Sequence, residues 1–212
     1  MAQKLIWEKN TEKNMIEYNL SEEKRKIRKQ ILKRRNELST EERKRAGILM
    51  TERILGHQWY YGSEILLPFA SYGSEIDTGE IIQEALRHGK RVYLPRVMEK
   101  ETEHKEPYME FFRVYNMEEL ISGYRGIPEP SAESERFIYC REEATNVLML
   151  MPGVAFDRYR NRIGYGKGFY DRYLQDKEGL QLRTIGVGFQ CQLVEKLPCD
   201  ERDIRPYQVI CV

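Results

Sequence analysis

Apolar residues recur at helical spacing near the start of the chain, beginning at Ser21. Ile27, Ile31 and Leu38 fall near one face of this predicted helix, and most of its other positions are Lys or Arg. Residues 1–20 mix charged residues with isolated apolar ones and show no clear period. We therefore predict an extension over residues 1–20, followed by a strongly basic amphipathic helix.

The second helix has a clear start signal. Ser39 is followed three residues later by Glu42, which is the pattern of a capping box. The apolar periodicity after it ends near Gly56, a residue type that commonly follows the last turn of a helix. The sequence therefore predicts a helix from Thr40 to about Gly56.

Short apolar runs alternate with helical segments along the rest of the chain. The runs that predict strands cover residues 64–69, 91–94, 109–114, 146–151, 183–189 and 208–212. A helix predicted between Asp77 and Gly89 separates the first two runs and is long enough for a parallel crossover. The alternation predicts an α/β fold, a three-layer α/β/α sandwich with a mostly parallel central sheet, in a single domain over residues 21–212.

Charge and composition exclude several classes of protein. The chain has 35 basic and 34 acidic side chains and a net charge of +1, so no global field attracts it to nucleic acid or to anionic membranes. No run of about eighteen apolar residues could span a bilayer, and the N-terminus lacks the apolar centre of a secretory signal. We expect a soluble, cytoplasmic protein whose anion binding, if any, is local.

Cysteine and histidine patterns give no sign of a zinc site. The four cysteines contain no CxxC pair, which favours reduced, structural thiols over a disulfide framework. His57, His88 and His104 are each isolated among polar neighbours. We expect structural or surface roles for all three histidines.

The strongest functional pattern is a glycine-rich segment at residues 162–171, which reads Arg-Ile-Gly-Tyr-Gly-Lys-Gly-Phe-Tyr-Asp. It follows the most apolar predicted strand and leads into a predicted helix. Alternating glycines let backbone N–H groups approach an anion, and Arg162 and Lys167 add two positive charges. The pattern favours a phosphate-binding loop, with a tight structural turn as the alternative. Asp171 is suitably placed to hold Mg²⁺ beside the phosphates, or it is simply an acidic residue at a helix start.

The loop matches neither of two common nucleotide-binding motifs. A Walker A loop would have glycine in place of Asn161, and Ser or Thr in place of Gly168. A dinucleotide-binding fingerprint would have its third glycine at Phe169. The chemistry must therefore come from another class of nucleotide or phosphate site.

The segment from Met151 to Tyr173, MPGVAFDRYRNRIGYGKGFYDRY, resembles the signature of the 5-formyltetrahydrofolate cyclo-ligase family. That signature is P-G-x-x-F-D followed by R-x-G-x-G-x-G-[YF]-Y-D. The family's basic K-R-x-x-R helix is matched at residues 24–28, and its E-[IV]-x-T turn at residues 75–78. The resemblance covers roughly residues 21–212 and implies the fold shared in outline by sugar-phosphate isomerases and CoA transferases.

The resemblance also implies a reaction. ATP phosphorylates the formyl oxygen of 5-formyltetrahydrofolate, N10 attacks the activated carbon, and phosphate leaves to give 5,10-methenyltetrahydrofolate. Such chemistry depends on stabilising the charge of the transferred phosphoryl group. The implied enzyme is ATP-dependent, uses Mg²⁺ and is expected to act as a monomer.

Residue roles follow from the same resemblance. The implied ATP-binding residues are Lys24, Arg25, Lys26, Ile27, Arg28, Arg162, Ile163, Gly164, Tyr165, Gly166, Lys167, Gly168, Phe169 and Tyr170. The implied substrate-binding residues are Ala70, Glu75, Gly166, Lys167, Gly168, Phe169 and Tyr170. The implied catalytic residues are Lys167, Arg162 and Tyr170, and the implied magnesium ligands are Asp171 and Asp203.

One part of the chain departs from the family pattern. Asp203 lies in a P-x-x-E-x-D segment that matches the family, which often has His before this Asp and another Asp four residues after it. Here Arg202 and Tyr207 occupy those two positions.

Two other functions remain open at the level of sequence. Fold alone does not fix function, so a sugar-phosphate isomerase-like enzyme that needs neither ATP nor Mg²⁺ is one alternative. The other is a non-enzymatic RNA-binding module that uses the basic helix, although the neutral total charge argues against it.

Overall fold

The computed structural model describes residues 2–99 and 106–212, and it describes side chains from residue 15 onward except residue 16. His104, for which a structural or surface role was predicted, lies outside the described residues. His57 and His88 each have a structural partner: His57 Nε2 lies 3.0 Å from Gln208 Oε1, and His88 Nδ1 lies 2.9 Å from Tyr60 Oη.

The first helix, α1, spans Ala2–Asn36, so the prediction that helix begins at Ser21 is wrong. No glycine or proline interrupts residues 2–21, and nothing in the local sequence forces a break there. Residues 17–19 are exposed, which explains why this part of the helix shows no apolar periodicity. The helix therefore continues through the boundary predicted at residue 20.

The second helix, α2, spans Thr40–Leu55, as its capping box predicts. The Ser39 hydroxyl accepts from the Glu42 N–H, and the Glu42 carboxylate accepts from the Ser39 N–H. Gly56 follows the last turn. A short helix that the sequence did not predict, α3, follows at Gln58–Tyr61.

A six-stranded sheet forms the centre of the protein. Its strands are β1 (Ile65–Leu67), β2 (Arg91–Met98), β3 (Tyr108–Val114), β6 (Val147–Met151), β9 (Thr184–Gly188) and β11 (Gln208–Cys211), in the order β11-β9-β6-β1-β2-β3. All neighbouring pairs are parallel except β2 and β3, which form an antiparallel pair. The predicted mixed α/β fold with a mainly parallel central sheet is confirmed.

Helices cover both faces of this sheet. α2 and α4 (Gly79–Arg87) pack against one face, whereas α5 (Phe169–Leu174) and α6 (Glu178–Gln181) pack against the other. Alternate residues of β6 enter the two cores: Leu148 and Leu150 face α2 and α4, and Met149 faces α5 and α6. Because β6 is buried on both faces, its sequence is continuously apolar.

Two smaller sheets complete the fold, and the sequence predicted neither. β7 (Ala155–Asp157), β8 (Arg162–Ile163) and β10 (Leu193–Val194) form a three-stranded sheet beneath the glycine-rich loop. β4 (Ile121–Ser122) and β5 (Pro128–Glu129) form a two-stranded hairpin within the region around residues 123–130. Strands of two or three residues are too short to show an alternating pattern.

The remaining general predictions concern thiols and membranes. All four cysteines have free thiols. Across residues 2–99 and 106–212, the structure contains no helix with the length and apolar character needed to cross a bilayer.

Candidate active site

A cleft of about 900 Å³ opens beyond the carboxyl ends of the parallel strands β1 and β6. Ligand sites of open α/β sheets commonly lie at this edge. Most residues singled out from the sequence line it, and they come from four separate parts of the chain. These residues are Lys24, Arg28, Ala70, Glu75, Arg162, Ile163, Gly164, Tyr165, Gly166, Lys167, Gly168, Phe169, Tyr170, Asp171 and Asp203.

Three residues implied to bind ATP do not line the cleft. Arg25 and Lys26 are exposed, and Arg25 pairs with Glu22 on the helix surface at 2.8 Å. Ile27 packs against a small apolar core that includes Ile31. A helix turns by 100° per residue, so a contiguous five-residue motif cannot direct all its side chains to one site. The structure therefore does not support side-chain contacts from Arg25, Lys26 or Ile27 to a ligand in the cleft.

Lys24 and Arg28 lie one turn apart on α1 and both reach the cleft. Lys24 Nζ lies 3.1 Å from Asp200 Oδ2 and also donates to Asp203 Oδ2. Arg28 Nε donates to the carbonyl oxygen of Gly164 at 2.8 Å. Burial lowers the pKa of Arg28 from its ordinary value, and the nearby Asp203 carboxylate acts in the opposite direction. Helix α1 thus contacts both the glycine-rich loop and the segment around Asp203.

The glycine-rich loop requires glycine at two positions. Gly166 has φ +94° and Gly168 has φ +62°, values that side chains of L-residues rarely adopt. Gly168 is the residue before α5, which has only six residues. Lys167 lies between the two glycines, is exposed, and takes part in none of the ion pairs of the described residues. It is therefore a cation that is available to an anionic ligand.

Arg162 and Asp171 form a buried pair at the base of the loop. Arg162 Nη2 lies 2.8 Å from Asp171 Oδ1, which also accepts from the N–H of Ile204 at 3.0 Å. Two nearby polar atoms, Arg162 Nε and Tyr170 Oη, are buried without a hydrogen-bond partner among the described residues. Burial raises the pKa of Tyr170 far above its ordinary value, so this hydroxyl keeps its proton. Unpaired buried polar atoms in a cleft wall are suited to a polar ligand.

The two candidate magnesium ligands are compatible with a metal held partly by phosphates. Mg²⁺ is usually bound through one or two carboxylates together with substrate phosphates. Among the described residues, no cluster of three or more His, Cys, Asp or Glu side chains could hold a metal by itself. Asp171 and Asp203 each use one oxygen for N–H or ammonium donors, and each has a second oxygen without a hydrogen bond among the described residues. The donor set therefore fits a metal that also binds a ligand in the cleft.

Glu75 lines the same cleft and lies near Tyr165 of the glycine-rich loop. Its Oε2 accepts from the N–H of Tyr72 at 3.0 Å, and the Tyr165 hydroxyl lies near its carboxylate. Burial raises the pKa of Glu75, while the two donors and the charge of Arg35 act to lower it. The same surroundings raise the pKa of Tyr165 to about 12, chiefly through burial. A carboxylate held in this way can accept hydrogen bonds from a ligand's N–H groups.

The wall formed by β2 and the β4–β5 hairpin is mainly apolar. Its apolar members are Pro95, Val97, Met109, Ile127 and Pro128. Tyr124 and Phe169 meet edge to face there, with ring centroids 5.8 Å apart. This wall offers a flat apolar surface that would suit an aromatic ring.

Comparison with known proteins agrees with this arrangement. The sequence model of the 5-formyltetrahydrofolate cyclo-ligase family matches residues 20–212. The 5-formyltetrahydrofolate cyclo-ligase of Mus musculus is 30% identical over 200 residues, covering 88% of this chain and 92% of the relative. The one from Escherichia coli K12 is 32% identical over 178 residues, covering 82% and 92%. The chain belongs to the 5-formyltetrahydrofolate cyclo-ligase family.

Solved structures agree with the family assignment. The NMR structure of 5,10-methenyltetrahydrofolate synthetase from Aquifex aeolicus superposes with a TM-score of 0.69 at 32% identity, covering 86% of each chain. A 5,10-methenyltetrahydrofolate synthetase from Mycoplasma pneumoniae superposes with a TM-score of 0.64 at 22% identity and supports the fold alone. The resemblance inferred from the glycine-rich segment is confirmed.

Sequence reasoning missed several residues in or beside this cyclo-ligase family cleft. Arg35 contacts Tyr165, Asp200 pairs with Lys24, and Glu129 lies buried in the apolar wall. Arg35 and Asp200 were hidden among many similar charges, in the basic helix and the acidic segment 200–203. Only the spacing of Arg35 from Ile31, one helical turn, could have indicated that it shares a buried face.

Proposed function

We propose that this protein converts 5-formyltetrahydrofolate to 5,10-methenyltetrahydrofolate with consumption of ATP and release of ADP and phosphate. The observation that carries the proposal is that one cleft contains both an open cationic loop and a half-buried carboxylate. The cleft is lined by Lys167, Arg162, Tyr170 and Glu75. Family membership supplies the identity of the two substrates.

The first step transfers the γ-phosphoryl group of ATP to the formyl oxygen. A formyl amide is a poor electrophile because its nitrogen donates electrons into the carbonyl group, and phosphorylation converts the oxygen into a leaving group. N10 then attacks the formyl carbon, the C–O bond to phosphate breaks, and the ring closes. Negative charge spreads over the phosphoryl oxygens during transfer, so fixed cations and N–H groups lower the barrier.

Individual residues of the cleft fit parts of this reaction. Lys24, Arg28 and the loop at residues 162–170 would bind the phosphates, and Lys167 would stabilise the transferred group. Glu75 would accept hydrogen bonds from the pterin ring, with Ala70 beside it at the end of the β1 segment. A magnesium ion, which neutralises phosphate charge when bound, would be held by Asp171 and Asp203.

Arg162 and Tyr170 would complete their hydrogen bonding only with substrates present. Arg162 Nε and Tyr170 Oη are the two buried cleft atoms without partners among the described residues. A phosphoryl or formyl oxygen between them would accept from both, because each atom is a donor. Interactions that form only with the reacting groups favour catalysis over simple binding.

The proposal extends to the fold and the domain boundaries. Residues 21–212 would form the catalytic domain, in the fold outline shared by sugar-phosphate isomerases and CoA transferases. The first part of α1 would assist it, since Glu17 and Leu20 line the cleft and Glu17 lies 3.7 Å from Arg202. Action as a monomer in the cytoplasm stays a prediction.

The test is a direct assay of the full chain with 5-formyltetrahydrofolate, ATP and Mg²⁺. We expect stoichiometric methenyl product, followed by absorbance, and ADP. Lys167→Ala should lower turnover by about 10²–10³-fold, as for the loss of one donor to a transition state. Lys196→Ala, at an exposed lysine outside the cleft, is the matched control. Absence of ATP-dependent product would overturn the proposal, and ATP-independent isomerisation of a sugar phosphate or retention on RNA would favour the alternatives.

A further inference from the structure

Arg35 is a buried cation without a carboxylate partner. Its exposure is 3%, and none of the ion pairs among the described residues includes it. Its guanidinium group donates instead to two hydroxyls: Nε to Ser74 Oγ at 3.0 Å, and Nη2 to Tyr165 Oη at 2.7 Å. Burial of a charge without an ionic partner is costly, so such a residue calls for an explanation beyond helix packing.

Both hydroxyl partners of Arg35 lie beside Glu75. Ser74 is the preceding residue, and the Tyr165 hydroxyl lies near enough to the Glu75 carboxylate to lower the pKa of Glu75. A tyrosine hydroxyl has one proton to donate, and the Arg35 guanidinium group can only donate. Because Arg35 donates to the Tyr165 oxygen, the O–H bond of Tyr165 points away from Arg35 and toward Glu75. The result is a donor chain from Arg35 through Tyr165 to Glu75.

This series of contacts links Arg35, which lies outside the cleft, to Glu75, which lies inside it. Arg35 does not line the cleft, whereas Tyr165 and Glu75 both do. The guanidinium carbon of Arg35 also lies 5.7 Å from the centroid of the Tyr165 ring. Arg35 therefore fixes both the hydroxyl and the ring of Tyr165 without touching a ligand itself.

We propose that Arg35 is a positioning residue for the folate side of the cleft, acting through Tyr165 to orient Glu75 toward the pterin ring. This inference rests on the proposed function, because Glu75 is assigned to folate there. The Tyr72 N–H and the Tyr165 hydroxyl hold the carboxylate from the protein side. The remaining lone pairs of Glu75 then face the substrate in a fixed direction.

The test compares Arg35→Met with Arg34→Met, its exposed neighbour on the same helix. We measure KM for 5-formyltetrahydrofolate and for ATP, and the equilibrium affinity for 5-formyltetrahydrofolate without ATP. Arg35→Met should weaken folate binding about tenfold and raise the folate KM by the same factor, with the ATP KM unchanged. Arg34→Met should change neither. Arg35→Lys should recover part of the loss, since an ammonium group can donate to Tyr165.

A double-mutant cycle separates positioning from a general structural role. If Arg35 acts through Tyr165, the folate KM of Arg35→Met/Tyr165→Phe should be no higher than that of Tyr165→Phe alone. Thermal unfolding of each variant identifies any that fail to fold. If Arg35→Met does not fold, the folate affinity and KM of Arg35→Lys are compared with those of the unmodified protein instead. An unchanged folate affinity in folded Arg35→Met, or a rise confined to the ATP KM, would overturn the inference. Lack of turnover in the unmodified protein would instead overturn the proposed function, and the folate-binding comparison would still decide the role of Arg35.

Discussion

The two walls of the cleft differ in how closely their charged side chains are paired with opposite charges. On the wall formed by α1 and the glycine-rich loop, two cations are paired inside the protein, Lys24 with Asp200 and Asp203 and Arg162 with Asp171, while Lys167 takes part in none of the ion pairs among the described residues. On the apolar wall, Glu129 is buried and has only a longer contact to Arg96, at 3.8 Å, whereas the half-buried Glu75 takes part in none of the ion pairs among the described residues. Burial raises the pKa of both Glu75 and Glu129.

The difference indicates what each wall can do. Paired cations are fixed in place before a ligand arrives, so they can stabilise phosphate charge with little reorganisation. Carboxylates without a close cationic partner provide directional acceptors for N–H groups and contribute specificity more than attraction. The net charge of +1 averages over both walls and hides this separation.

The largest effect should come from the paired wall. Arg28→Met removes the cation that donates to Gly164 O, whereas Arg25→Met removes an exposed cation less than one turn away on the same helix. The proposed charge-assisted hydrogen bond from Arg28 to a phosphate of ATP would contribute about 1.5–3 kcal/mol, so Arg28→Met should raise the ATP KM by about 10- to 100-fold. Arg25→Met should leave it unchanged. Steady-state kinetics with ATP as the varied substrate would measure both, and equal effects would contradict the assignment of the two helix faces.

A smaller effect should follow from straining the glycine-rich loop. Gly166→Ala places a side chain at φ +94°, and Gly89→Ala does so at φ +72° after α4, away from the cleft. Each should cost about 1–2 kcal/mol of stability through the left-handed backbone. Only Gly166→Ala should also lower turnover, by about tenfold, because the strain displaces the loop that holds Lys167. Urea unfolding and turnover of both variants would check this, and equal turnover would show that the loop geometry is not critical.

Which features of these walls could be predicted from the sequence depends on how far apart the interacting residues are along the chain. The capping box fixed the start of α2 and the apolar run fixed β6, because both signals are local. The glycine-rich loop was also visible, since its glycines are needed for backbone conformation. By contrast, the antiparallel β3 had the same apolar pattern as a parallel strand, so the pattern could not give its direction relative to β2.

The charge pairing of the site could not be predicted, because its partners are distant in sequence. Asp171 was predicted as a magnesium ligand or as an acidic residue at a helix start, and neither interpretation indicated that it accepts from the side chain of Arg162 and from the N–H of Ile204, 33 residues later. Lys24 meets Asp203 across 179 residues. In the basic helix, burial of Arg35 is likewise decided by tertiary packing and not by its own sequence neighbourhood.

The smallest effect should come from the apolar wall and concerns stability. Glu129 is 3% exposed, accepts from the Val97 N–H at 3.2 Å, and lies 3.8 Å from Arg96. Burial raises its pKa in the folded protein despite these contacts. The folded state therefore binds the proton more tightly than the unfolded state does. The contribution of Glu129 to stability is greatest below the unfolded pKa and is lost as pH rises through the folded pKa.

Glu129→Gln keeps an acceptor oxygen for the Val97 N–H but never ionises. The variant should therefore gain stability relative to the unmodified protein as pH rises from about 4 to 8, by about 1 kcal/mol or less. Glu133→Gln, at an exposed carboxylate, should show no such trend. Urea unfolding across this pH range would measure the difference. A Glu129→Gln variant that loses stability with rising pH would mean that the Arg96 pair outweighs burial, and that this wall, like the opposite one, is organised by ion pairing.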